Sequence, residues 1–222
     1  MPRKDSLLSR TLICGILVFT SIMPIWFAQV NADPIPKTLQ EVFIDATSGV
    51  SGAGEHVLSA VDSLLRQYPE DALLTAYYGS TLYVKARDSW LPWDKEKYST
   101  LGMASLNKSL RLLSNESFSK PYYGLNEGIY IQSIAAITFV NTPDLLHQKA
   151  RGYNMLKNML ASEQLQYYPF EPQAWIHLGA VKAALDMEEP HVAQAWAQEM
   201  RKLAPTHPLT QEALSLTANT NA

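Results

Sequence analysis

Five histidines, His56, His147, His177, His191 and His207, are scattered along the 222-residue chain without metal-ligand spacing, and no His-Glu-x-x-His occurs. Ser105-Leu106-Asn107-Lys108 and Ser117-Phe118-Ser119-Lys120 each have the Ser-x-x-Lys spacing of an activated serine. Neither is accompanied by the Lys-Thr-Gly that completes such a site, and no Gly-x-Ser-x-Gly elbow is present, so both are read as chance. Gly49, Gly52 and Gly54 lack the order and the Gly-Lys-Ser/Thr of a phosphate loop and read as a flexible linker. Asn126-Glu127 interrupts an apolar run. It is either an exposed helix edge or a buried carboxylate that needs a cation such as Arg87 or Lys85. No catalytic residue, cofactor site or metal site is assigned.

Binding is better served. Arg87-Asp88-Ser89-Trp90-Leu91-Pro92-Trp93-Asp94-Lys95-Glu96-Lys97 sets two indoles among charges, the composition of interaction hot spots. The competing reading is a long loop that tucks its aromatics onto the core.

The elements that must position these residues are helical. Val57, Leu58, Val61, Leu64 and Leu65 form a stripe over 55–68, and a second helix runs from Glu70 to about Arg87. Pro92 breaks the chain, and Asp94 is a candidate N-cap for a helix reaching Leu113. Ser119 and Pro121 read as the N-cap and first residue of a helix to Val140; its run Ile129 to Val140 is β-rich in composition, but its length and neighbours favour a central, buried helix. After Pro143 a helix places Leu146, Ala150, Tyr153, Leu156 and Leu160 on one face, followed by helices at Gln173–Leu185, His191–Leu203 and Thr210–Leu216. A short helix at Thr38–Asp45 precedes the glycine cluster.

The segment Tyr168-Pro169-Phe170-Glu171-Pro172-Gln173-Ala174-Trp175-Ile176-His177-Leu178-Gly179-Ala180 has an ungapped echo at Tyr68-Pro69-Glu70-Asp71-Ala72-Leu73-Leu74-Thr75-Ala76-Tyr77-Tyr78-Gly79-Ser80. Trp175, Leu178 and Gly179, with Pro169 before them, resemble the tetratricopeptide repeat. Ala193 and Pro205 fit its remaining positions if the turn at Asp186–Pro190 is about two residues longer than in the 34-residue unit. The early copy keeps Pro69, Tyr78 and Gly79 but has Thr75 in place of the tryptophan. The resemblance implies an all-α, TPR-like α-solenoid of antiparallel pairs, about seven to nine helices, with Gly79 and Gly179 where helices approach closely. It also implies a groove lined by the first helix of each pair: Leu73, Ala76, Ser80 and Tyr83 early, and Gln173, Ile176, Ala180 and Ala183 late. Partner contact is expected at the early end, through Ser80, Tyr83, Arg87, Trp90 and Trp93.

Arg3, Lys4 and Arg10, an apolar run from Leu12 to about Phe27, and small residues at Val30 and Ala32 read as a secretory signal cleaved after Ala32. The alternative is an uncleaved anchor over residues 11–30. Cys14, the only cysteine, falls within this segment, so the cleaved chain has no thiol. Cleavage leaves 15 Lys and Arg against 20 Asp and Glu, a net charge of −5, with no clustered basic surface for nucleic acid. The organisation is a signal peptide at 1–32, a leader and linker at 33–54, a helical domain at 55–216 and a frayed tail at 217–222. The function expected is an exported scaffold, periplasmic or secreted, that binds a protein or peptide partner; it meets the membrane only if the signal stays uncleaved. The other class is a helical enzyme or small-ligand carrier with the Trp90/Trp93 loop as a lid.

Overall fold

The computed structural model describes residues 35–142 and 147–218. The signal segment, its cleavage site, the alternative anchor, Pro143, Leu146 and residues 219–222 lie outside them. The described chain is all-α apart from one two-stranded ribbon. Its helices are α1 (Lys37–Thr47), α2 (Ala53–Gln67), α3 (Ala72–Asp88), α4 (Pro92–Leu112), α5 (Glu127–Val140), α6 (Lys149–Leu160), α7 (Glu163–Gln166), α8 (Phe170–Asp186), α9 (Pro190–Leu203) and α10 (Pro208–Ala218). That is ten where seven to nine are expected, with the single turn α7 splitting off before Tyr167.

Contacts follow a regular order. α1 packs on α2, α3 on α4, α5 on α6, and α8 on α9. In addition α1, α3, α5, α8 and α10 each touch the next in that series, and α2, α4, α6 and α9 each touch the helix that opens the following pair. α5 is the hub of this arrangement. Its β-branched run is helical and buried on nearly every side because α3, α4, α6 and α8 surround it.

Close approach is achieved with glycine. A Cβ at Gly79 would lie 2.8 Å from the Gly102 carbonyl, and one at Gly102 2.7 Å from the Gly79 carbonyl, so α3 and α4 meet backbone to backbone. Gly179 meets only the side chain of Ile137 on α5.

Several local expectations are corrected. α4 starts at Pro92, not after an Asp94 cap; proline is suited to the first helical position, where no N–H partner is lost, so Trp93 joins the first turn. Ser119 and Pro121 do not open α5. Pro121–Tyr122 pairs antiparallel with Leu125–Asn126 about a turn in which Tyr123 and Gly124 both have positive φ, as a type I′ hairpin requires. Asn126 then caps α5, its side chain accepting from Ile129 N–H. Glu127 is buried, not an exposed edge, and its cation is Lys120 rather than Arg87 or Lys85. Within the segment read as leader and linker, α1 buries Leu39, Phe43 and Ala46, so Gly49 and Gly52, both left-handed, form a turn between packed helices. Thr217, in the segment read as a frayed tail, is a buried residue of α10.

Candidate functional site

The part of α3 expected to line a groove is covered by α1. Phe43 of α1 lies 4.4 Å from the Tyr77 ring, and Gln40 donates to the Tyr130 hydroxyl at 3.1 Å. Beneath α1 the phenols of Tyr77, Tyr122 and Tyr130 are linked at 3.0 and 3.2 Å. Burial of three phenols is tolerable because each hydroxyl has a partner, and it drives the Tyr77 hydroxyl far above its ordinary pKa, first by desolvation and then by the neighbouring phenols.

The residues expected to form one binding surface are consequently divided. Ser80 is buried, its hydroxyl 3.1 Å from that of Thr138 on α5, and it presents nothing to a partner. Leu73 and Ala76 are buried as well, and so are Gln173, Ile176, Ala180 and Ala183 at the late end. Tyr83 is half-buried and donates its hydroxyl to the Asn141 carbonyl at the end of α5. Desolvation raises the Tyr83 pKa, opposed by the charges of Arg87 and Lys149. Arg87 donates to Ala46 O and Thr47 O at 3.1 Å, closing off the last carbonyls of α1, and pairs with Asp88 at 2.7 Å. Trp90 and Trp93 lie apart from these and point into solvent, so the core-packed reading of the tryptophans fails. The nearby 440 Å³ cleft is lined by residues such as Gly52, Glu55, Lys85 and Asp88, and neither indole is among its lining residues.

An open cleft lies beside α8. A cleft of about 770 Å³ runs between the C-terminal ends of α1 and α5 and the face of α8. Trp175, Leu178 and Lys182 recur one turn apart on α8 and form one wall. Trp175 is fixed by its indole N–H donating to Pro172 O at 2.9 Å and by contact with the Tyr130 ring at 5.4 Å. Ile137 and Asn141 of α5 form the opposite wall. Lys149, paired with Asp186 at 2.8 Å, closes one end, and Lys182 is paired with Glu212 at 2.6 Å. The surface is an apolar floor with charged pairs and an amide at its rim, suited to an extended polar chain with an apolar side chain or two.

Asn141, Lys149 and Lys182 are not among the residues singled out from sequence. Lys182 had a legible signal, standing seven residues after Trp175 and four after Leu178 on one helical face. Lys149 and Asn141 had none, since tertiary packing alone brings them there. Among the described residues no group of three or more His, Cys, Asp and Glu side chains is placed to hold a metal. No family model matches the chain, and no curated protein and no solved structure is detectably similar to it.

Proposed function

We propose that this chain is an exported, TPR-like scaffold of the cell envelope, periplasmic or secreted, whose late cleft receives an extended segment of a protein partner. The observation that carries the reading is the open cleft bounded by the first helices of successive pairs, with Trp175 and Leu178 in its wall and Asn141 and Lys182 at its rim. The helical repeat is supported by the serial contact order of the pairs and by Trp175, Leu178 and Gly179 at the repeat spacing. Because α1 covers the early inner face, the partner site is assigned to α5 and α8 and not to Ser80 and its neighbours.

The test uses chemical crosslinking in intact cells followed by identification of what is joined to the chain. Lys182→Glu reverses a rim charge on an exposed side chain and should lower recovery of a specific partner about tenfold, with the melting temperature retained. Lys202→Glu, at an exposed position of α9, should recover it normally. Equal recovery from both variants would remove the cleft from the account.

A further inference from the structure

The turn between α3 and α4 carries apolar surface that the fold leaves bare. Trp90 is 94% exposed, Trp93 64% and Leu91 41%, whereas tryptophan is on average a well-buried residue. The turn is firmly built. Ser89 donates its N–H to Ala86 O and its hydroxyl to Lys85 O, while the Leu91 carbonyl accepts from the N–H groups of Asp94 and Lys95. Pro92 at the first helical position fixes φ between the two indoles. Two amphipathic rings therefore stand on a rigid protruding tip.

Area and charge say what such a tip can meet. A fully covered tryptophan buries about 150–250 Å², so the two indoles and Leu91 together offer roughly 400 Å², about half of the ~800 Å² per partner in a stable protein interface. Charges around the tip balance: Arg87, Lys95 and Lys97 stand against Asp88, Asp94 and Glu96, so no strongly charged partner is selected. A bilayer surface demands neither a large matched area nor net charge. It takes indoles at headgroup level, their rings in the apolar boundary and their N–H groups wet.

We propose that Trp90-Leu91-Pro92-Trp93 is a lipid-docking tip by which the folded domain rests on a membrane surface. No helix among the described residues is long and apolar enough to cross a membrane, so this contact is peripheral. It rests on different residues from the cleft and stands or falls separately.

The experiment measures iodide quenching of the purified full chain, with and without vesicles, against a Trp90→Phe/Trp93→Phe variant. Subtracting the variant isolates these two indoles from the other three tryptophans, and an uncleaved leader that binds vesicles by itself does not mimic the result. On phosphatidylcholine vesicles, quenching of the two indoles should fall about threefold, equally when phosphatidylglycerol is added and in high salt. Should the double variant melt early, Trp90→Phe alone, at a ring almost wholly in solvent, repeats the comparison. Unchanged quenching on vesicles overturns the proposal. Protection confined to anionic vesicles and lost in salt also overturns it, since charge and not the indoles would then be the contact. Indoles protected without lipid, with self-association on dilution series, would assign the tip to a second copy instead.

Discussion

Replacing Gly79 by alanine should destabilise the fold, whereas the same change at Gly179, the equivalent position of the echoed segment, should not. At Gly79 the new Cβ falls 2.8 Å from Gly102 O, 2.9 Å from Leu106 Cγ and 3.0 Å from Leu106 N. Two of these atoms are α4 backbone, so relief requires the helices to separate. Overpacking of this kind costs about 1–3 kcal/mol, and the helix propensity gained on going from glycine to alanine returns about 1 kcal/mol, leaving a net loss of up to about 2 kcal/mol. At Gly179 the nearest atoms are Cδ1 and Cγ1 of Ile137, at 2.7 and 2.9 Å. No α5 backbone atom is involved; Cδ1 is the end of a half-buried side chain beside an open cleft, and although Cγ1 moves less freely in a β-branched residue, the helix propensity gained offsets the adjustment, so the variant should stay within about 1 kcal/mol of wild type. Urea denaturation of the two variants measures the difference, and melting should separate them by several degrees, since about 1 kcal/mol moves a domain of this size by about 2–4 °C. Adding Gly102→Ala to Gly79→Ala should cost less than the sum, because helices already parted for one methyl accommodate the second. Equal effects at Gly79 and Gly179 would refute the packing argument.

Three further outcomes are expected. Burial holds the His177 imidazole down to about 4; because it protonates more readily in the unfolded chain, stability is full above about pH 6.5 and falls as pH drops toward 4, by roughly 2 kcal/mol between pH 7.5 and 5. His177→Gln should flatten that slope in urea titrations, and an unaltered slope would show that other groups carry it. Lys120→Met removes the ammonium facing the buried Glu127 carboxylate and should cost about 1–2 kcal/mol, discounted for the partial exposure of Lys120; denaturation with an unchanged midpoint would contradict this. N-terminal sequencing of the exported product should begin at Asp33, and a chain starting at Met1 in the membrane fraction would establish the anchor instead.

The helical architecture was legible because stripes of apolar residues at helical period run from Val57 to Leu203 and prolines punctuate them. Gly79 was legible as a close-approach site; its counterpart Gly102 was not, since nothing local distinguishes it. The hairpin before α5 was missed because Ser119 and Pro121 imitate a helix start, while the deciding signal is the Tyr123-Gly124 pair with both residues at positive φ. The binding surface was least legible. The resemblance to the tetratricopeptide repeat implied a groove face carrying Ser80 and Tyr83, but α1 packs over that part of α3 through Phe43 and Gln40, which meet Tyr77 and Tyr130 from distant parts of the chain. Exposure of the two tryptophans likewise follows from Pro92 starting α4 at once, which leaves no slack for the turn to fold back.

Photo-crosslinking in intact cells, with a photoreactive residue placed singly at positions 141, 182 and 202, tests the assignment of the late cleft most directly. The account predicts a shared partner adduct from Asn141 and Lys182 and none from Lys202. Adducts of equal yield from Lys202, or none from either cleft position while a partner is still captured elsewhere on the chain, would contradict it.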